Sequence, residues 1–109
     1  MSNLEYHVLL AMADGPRYGY AVKEAIEVES GGTLTPRAGS LYRVLARLVT
    51  WGLVEGTSPP EAAEPHPGLA RRYYGLTAQG RRSLAAEAHR LKGAAALAEE
   101  RLRMAEGRS

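Results

Sequence analysis

Residues 35–52 of this 109-residue chain, TPRAGSLYRVLARLVTWG, carry its clearest helix signals. Thr35 is a hydroxyl N-cap candidate with Pro36 at the first helical position, and Gly52 favours the left-handed turn that ends a helix. These signals predict a helix over residues 36–51. At about 100° per residue, its apolar side chains form one arc: Leu41, Leu45, Leu48 and Val49, with Tyr42 at the edge. The opposite side holds small and basic residues and no carboxylate: Pro36, Gly39, Ser40, Arg43, Ala46, Arg47 and Thr50.

Two shorter helices are predicted before this one. Ser2 and Glu5 have the spacing of a capping box, and the helical periodicity that follows predicts a helix over 3–13, stopped by the Asp-Gly-Pro turn at 14–16. A second amphipathic segment predicts a helix over 19–30, which ends at a pair of glycines.

After residue 52 the pattern changes to a hairpin and a final helix. Residues 53–56 and 70–76 are rich in strand-forming side chains and flank a proline-rich tip. Thr77 is then a hydroxyl N-cap for a helix over 78–104. The fold class predicted from the residues is therefore mainly α with a small β-hairpin.

The amino-acid composition excludes several classes of site and of protein. The chain has no cysteine, which excludes disulfides, a thiol nucleophile and thiolate metal sites. No apolar run approaches the roughly 18 residues of a membrane helix, and no basic signal-peptide region is visible, so we expect a cytoplasmic protein without a membrane partner. Although the net charge is only +2, residues 30–54 carry three arginines and no acid.

A tight helix pair followed by a helix with a small, basic outer face is what reading the major groove of duplex DNA requires. The alternative is that this face is an ordinary solvated surface with two arginines. Arginine supplies twelve of the fourteen basic residues, which fits either phosphate and guanine recognition or a GC-rich coding background.

Three motifs resemble the PadR family of winged-helix transcriptional regulators, over about residues 4–84. They are YGYAV at 18–22, GSLY at 39–42 and RRYYGLT at 71–77. The resemblance implies a winged helix-turn-helix over 1–76 and a C-terminal dimerisation helix over 77–109. It also implies a homodimer that binds an inverted-repeat operator in double-stranded DNA, usually as a repressor.

The resemblance assigns DNA-binding roles to these residues: Arg37, Ser40, Tyr42, Arg43, Tyr18, Tyr20, Arg71 and Arg72. The outer helix face itself adds Gly39, whose small size would let the helix N-terminus approach a phosphate, and Arg47, which lies on the same side four residues after Arg43. For Tyr42 the helical wheel leaves core packing as an equal alternative, and Tyr20 is similarly ambiguous. Arg71 and Arg72 alternate along a strand, so we expect only one of them to face DNA. Glu61 and Glu64 make the wing tip acidic, which argues against its lying in a minor groove.

A last helix of 27 residues would be about 40 Å long, so its apolar stripe should extend beyond the monomer core and meet a second copy. The predicted dimerisation seam is Leu84, Ala88, Leu91, Ala95, Ala98 and Leu102. Related regulators accept flat aromatic effectors at the dimer interface. Because no aromatic residue follows Thr77, a small hydrophobic effector stays an open alternative.

An enzyme is not expected. His7, His66 and His89 lie on separate predicted elements without metal-ligand spacing, and Asp14 is the only aspartate. We therefore predict no catalytic residue, no metal and no cofactor. The second functional hypothesis is a winged-helix protein-interaction module that does not bind specific DNA sequences.

Overall fold

The computed structural model describes residues 1–58 and 72–108 of the chain. The helices are α1 (Asn3–Ala11), α2 (Gly19–Glu29), α3 (Ala38–Thr50) and α4 (Ala78–Glu106). The strands are β1 (Arg17–Tyr18), β2 (Val54–Thr57) and β3 (Tyr73–Leu76). The predicted fold class, mainly α with a small β-hairpin, is confirmed.

The core lies between α1, α2 and α3, because each of these helices carries apolar side chains at helical spacing on one face. The largest fully buried side chains are Leu9, Met12, Ile26, Leu41, Leu45, Leu48, Val8, Val22 and Val54. The prediction that Val49 belongs to the buried arc of α3 is wrong. Val49 is 42% exposed, whereas Val44 is only 6% exposed and takes its place in the core. Leu41 and Leu48 set the centre of the buried face, and Val44 lies about 50° from that centre while Val49 lies about 90° away.

The predicted start of α3 is also wrong. The N-cap is Arg37, in an extended conformation (φ −75°, ψ 151°) and without a side-chain cap. Leu34 explains the difference, because it packs against the core and its backbone N–H donates to Ser30 Oγ at 3.0 Å. After this anchor, Arg37 is extended and α3 begins only at Ala38, so Pro36 lies before the helix rather than at its first position.

The start of α1 follows the prediction. Glu5 N donates to Ser2 Oγ at 3.1 Å, and Ser2 N donates to Glu5 Oε1 at 2.7 Å. The capping box is therefore complete.

The sheet has three antiparallel strands in the order β1-β3-β2. In the hairpin, Val54 pairs with Leu76 and Thr57 with Tyr73. The two-residue β1 adds a third strand that the sequence did not predict, since two residues carry no periodicity. Residues 59–71, which include most of the predicted tip and the first part of the second predicted strand, lie outside the described residues.

α4 leaves the core after its first turns. It has 29 residues, equivalent to about 43 Å, and Leu84 near its start packs against the core. Every residue from 89 to 108 is exposed. The molecule is consequently elongated, with extents of 64 × 27 × 26 Å.

Candidate nucleic-acid interface

α3 buries one side and presents the other to solvent. Leu41, Leu45 and Leu48 are at most 1% exposed and hold the helix on the core. On the outer side, Ser40 is half-buried and these residues are exposed: Gly39, Arg43, Ala46, Arg47 and Thr50. The structure thus places the residues predicted for DNA on the outside of α3, while their DNA contacts stay a prediction.

The first turn of α3 is open to a ligand. No side chain caps its backbone N–H groups, and a Cβ added at Gly39 would have no atom within 4 Å. Helix N-termini attract phosphate through these N–H groups and through the helix dipole. A phosphate could therefore approach the backbone at Gly39 more closely than it could at a residue with a bulky side chain.

The charge of this surface is positive and largely uncompensated. Residues 30–54 contain no acid. Within the described parts of the chain, neither Arg37 nor Arg43 has a salt bridge to a carboxylate. Both arginines are exposed, so their guanidinium groups are available to an anionic partner.

Arg47 differs from Arg43 because it is already paired. Its Nη1 donates to Glu5 Oε2 at 2.9 Å, and its guanidinium carbon lies 5.9 Å from the centroid of the Trp51 ring. The Arg47 side chain is still 47% exposed, whereas that of Glu5 is 6% exposed. Glu5 and Trp51 therefore orient the Arg47 side chain, which remains accessible to solvent.

Glu5 is the one buried charged residue of the described chain. The Ser2 backbone N–H is the main cause that lowers the pKa of the Glu5 carboxyl below its ordinary value, with Arg47 acting in the same direction and burial opposing both. Glu5 is consequently ionised at neutral pH and keeps a fixed negative charge beneath Arg47.

The Tyr42 side chain of α3 reaches the start of α2 and stays partly exposed to solvent. It is 49% exposed, and its hydroxyl oxygen would be only 2.5 Å from a Cβ built at Gly19. The core-packing alternative for Tyr42 is thus only partly right: the ring leans on the start of α2 and keeps one side free. Glycine at position 19 is needed for this contact, because the Cβ of any other residue would meet the Tyr42 ring.

The other two predicted tyrosines also lie near the start of α2. Tyr18 is at the N-cap position, and its ring meets that of Tyr73 edge-on with centroids 5.7 Å apart. Tyr20 is 59% exposed, with the Lys23 ammonium 6.0 Å from its ring centroid. Tyr20 therefore faces solvent, and Tyr18 is braced by the sheet.

Only one of the two wing arginines can be placed. Arg72 is exposed, and its guanidinium carbon lies 5.8 Å from the centroid of the Tyr74 ring. Arg71, Glu61 and Glu64 fall outside the described residues. The expectation that one arginine of the pair faces DNA therefore stays a prediction.

The predicted dimerisation seam changes environment along α4. Leu84 packs on the core and Ala88 is half-buried, whereas Leu91 is 38% exposed and Leu102 is 64% exposed. Ala95 and Ala98, which lie between those two leucines, are exposed as well. The distal seam is thus an apolar stripe without a cover in the described monomer.

Residues 1–58 and 72–108 contain no group of three or more His, Cys, Asp or Glu side chains that could hold a metal ion. In the same ranges, no helix is both long and apolar enough to cross a membrane.

Sequence reasoning missed two residues that shape this surface. Glu5 was recognised only as part of a capping box, because its second partner, Arg47, is 42 positions away and no local signal links them. Gly19 lies at the start of a predicted helix, but the sequence does not indicate its close contact with Tyr42, because that contact depends on how α2 and α3 cross.

Comparison with known proteins agrees with this architecture. The sequence profile described as "Transcriptional regulator PadR-like family" matches residues 8–86. An uncharacterized 37.1 kDa protein in transposon TN4556 of Streptomyces fradiae is 44% identical over 82 residues, which cover 75% of this chain and 21% of that protein. The chain therefore spans about a fifth of the length of that curated relative.

Solved structures share the fold. A PadR-like transcriptional regulator from Bacillus cereus strain ATCC 14579 is 23% identical, with a TM-score of 0.74 over 91% of this chain and 90% of that chain. Bacillus subtilis PadR, in complex with operator DNA, is 21% identical, with a TM-score of 0.62 over 77% of this chain and 45% of that chain.

Proposed function

Since this chain belongs to the PadR-like family of transcriptional regulators, we propose that it binds an inverted-repeat operator in duplex DNA as a homodimer and represses transcription from there. The observation that carries the proposal is the outer face of α3. That face is basic and free of carboxylates, and it lies on a helix that the core holds rigidly through Leu41, Leu45 and Leu48. A helix of this kind fits the major groove, where side chains can reach base edges.

The fold that this chain shares with Bacillus subtilis PadR, a protein solved with operator DNA, supports duplex DNA as the partner. In our proposal Arg43 and Ser40 approach base edges, because they are on the outward side of α3 near its start. Arg37, Tyr18 and the helix N-terminus at Gly39 bind phosphates, and Arg72 extends the contact through the wing. Tyr20, Tyr42, Arg47 and Arg71 complete the proposed surface.

Two parts of the chain divide the work in this proposal. Residues 1–76 form the winged helix-turn-helix, and residues 77–109 pair with the same helix of a second copy. The uncovered distal seam of α4, from Leu91 to Leu102, supports this pairing. Two modules joined in this way bind two half-sites together and much more tightly than one module alone. Their two-fold symmetry requires an inverted repeat.

Repression and its relief belong to the same proposal. A dimer that covers its operator blocks access of other proteins to that DNA. A small hydrophobic effector would enter between the paired α4 helices. The side chains that contact it there would be aliphatic, because no aromatic residue follows Thr77. A rise in melting temperature with an added aromatic compound, together with loss of DNA binding, would support this part.

The test is a selection of duplexes from a random-sequence library by the purified protein. We expect an enriched motif with two inverted half-sites, and we expect Arg43→Glu to abolish the enrichment. Lys92→Glu is the matched control, because it makes the same charge reversal at an exposed position of α4 and should leave the motif unchanged. If no motif is enriched at any salt concentration, the protein-interaction module becomes the better hypothesis.

A further inference from the structure

The end of α3 and the start of α4 meet in one hydrogen-bonded junction. Thr77 Oγ1 donates to the carbonyl oxygen of Gly52 at 2.6 Å and accepts from the backbone N–H of Gly80 at 2.9 Å. The backbone N–H of Thr77 donates to the carbonyl oxygen of Leu53 at 3.1 Å. One threonine thus joins the first turn of α4 to the two residues that close α3.

The α3 side of the junction is itself rigid. Gly52 has a left-handed φ of +75°, and Leu53 N donates back to the carbonyl oxygen of Leu48 at 2.9 Å. This is the geometry in which a glycine after the last turn satisfies the free carbonyl groups of a helix. A displacement of Gly52 and Leu53 would therefore disturb the last turn of α3.

Gly80 allows the two backbones to touch. A Cβ added at Gly80 would lie 1.9 Å from the carbonyl oxygen of Leu53 and 2.9 Å from its carbonyl carbon. These are backbone atoms, which cannot rotate away as the end of a side chain can. Any residue other than glycine at position 80 must therefore push α4 and the end of α3 apart.

We infer that Thr77 and Gly80 are specificity-determining residues that set the spacing between the two half-sites of the operator. The inference rests on the proposed function, because it requires α3 to read DNA and α4 to pair with a second copy. Given those two roles, the distance between the recognition helices depends on the angle at which each α3 leaves its α4. The junction fixes that angle through backbone contact and through the two hydrogen bonds that join Thr77 to Gly52 and Leu53.

The expected size of the effect follows from the contact distance. Ordinary van der Waals contact begins at 3.4 Å, so a Cβ that would lie 1.9 Å from the Leu53 oxygen requires a displacement of about 1.5 Å (3.4 − 1.9). Each protomer makes this displacement, and the two together change the separation of the α3 helices by up to about 3 Å. One base pair of B-DNA rises about 3.4 Å along the helix axis. We therefore expect the preferred spacing to broaden or to shift by at most one base pair.

The experiment is a binding selection on a library with two half-sites separated by a random number of base pairs, applied to the full chain and to its variants. Gly80→Ala is the direct variant, and circular dichroism and light scattering check that it folds and dimerises. Thr77→Val removes the hydroxyl hydrogen bonds at almost constant shape and carries the test if Gly80→Ala does not fold. Thr77→Ser restores the hydroxyl and should restore the original spacing.

Gly93→Ala is the matched control. It makes the same substitution in the same helix, but a Cβ at Gly93 would have no atom within 4 Å. Gly93 also lies half a turn away from the seam residues Leu84 and Leu102. We expect this variant to keep the spacing of the unchanged protein.

The outcomes separate the inference from the function on which it rests. If Gly80→Ala or Thr77→Val selects the same half-site sequence but a shifted or broadened spacing, the inference is supported. A folded, dimeric variant that selects the original spacing with the original sharpness overturns it and leaves the proposed function intact. Failure of the unchanged protein to enrich paired half-sites overturns the proposed function, and this inference with it.

Discussion

At the scale of single residues, the outer surface of α3 depends on partners that lie elsewhere in the chain. The Tyr42 hydroxyl lies against Gly19 of α2, and the Arg47 guanidinium is bound to Glu5 of α1. Arg43 has no such partner among the described residues and is exposed. The three side chains therefore differ in how freely they can adjust to a bound duplex.

Gly19→Ala should weaken DNA binding and leave the fold intact. The new methyl group would meet the tip of the half-exposed Tyr42 ring rather than backbone, so the ring can swing outward at little cost. Thermal unfolding should change little, while fluorescence anisotropy should show an affinity reduced about as much as in Tyr42→Ala.

A different outcome would contradict this account of Tyr42. Gly31→Ala is unsuitable as a control, because Gly31 has a left-handed φ of +65°. Ser83→Ala, a small change in the first half of α4, should alter neither property. If Gly19→Ala binds DNA as tightly as the unchanged protein, the position of the Tyr42 ring does not matter for binding.

Arg43→Ala and Arg47→Ala should differ in their effects on DNA binding. Arg43 has no ion-pair partner in residues 1–58 and 72–108 and can reach a base edge, so its loss should relax base preference, or lower the salt slope of log K by about one if it contacts a phosphate. Arg47→Ala also leaves the buried Glu5 carboxylate without its partner, so it should lower stability as well as affinity. Anisotropy titrations at several salt concentrations, combined with urea unfolding, measure both effects. Equal stability of the two variants would contradict the role given to Glu5.

At the scale of helices and strands, the sequence predicted most of what the structure shows. The apolar arc of α3 was predictable because three leucines at helical spacing dominate it, and the Thr77 cap was confirmed through its bond to Gly80 N. The start of α3 was not predictable, because it depends on the packing of Leu34 against the core and on the hydrogen bond from Leu34 to Ser30. Nor could local patterns reveal the Glu5–Arg47 pair, which forms only once α1 packs beside α3.

Glu5→Gln tests how α1 and α3 are linked. Glutamine can keep the capping box but removes the charge that holds Arg47, and we expect a loss of about 1 kcal/mol at pH 7 because Arg47 is half exposed. The folded pKa of Glu5 is lowered, so its stabilising effect is full above the ordinary glutamate value of about 4.3. That effect is lost as the pH falls further, through the lowered folded value.

Urea unfolding of the unchanged protein and Glu5→Gln at pH 7 and pH 3 measures this effect. The difference in unfolding free energy should shrink at pH 3. Glu55→Gln, at an exposed position of β2, should show only a small difference at either pH. A Glu5→Gln difference that is the same at both pH values would show that the ion pair does not stabilise the fold.

At the scale of the whole molecule, the elongated shape separates two tasks. The core and the sheet hold α3, while the part of α4 from residue 89 onward lies free of the core and extends the chain to 64 Å. The last 18 residues of α4 span about 27 Å, which is long enough to pair with a second copy along the distal seam. The length of α4 and its apolar stripe were predictable from the sequence, but the residue at which α4 leaves the core was not.

Leu91→Glu combined with Leu102→Glu should separate the proposed dimer into monomers. Both leucines are exposed in the monomer, so the fold itself should remain, and charges facing each other across the seam would oppose association. Light scattering should give a mass near 11.8 kDa for this variant and about twice that for the unchanged protein. His89→Glu, which is also exposed but lies off the seam, should stay dimeric.

In the proposed complex the outer face of α3 enters the major groove, once in each protomer. Methylation protection of guanine N7, an atom of the major groove, tests this arrangement on a duplex that the protein selects. We expect two protected patches with centres about 34 Å apart, and we expect Arg43→Ala to weaken the protection in both. Bound protein that leaves every guanine N7 open to methylation would contradict the claim.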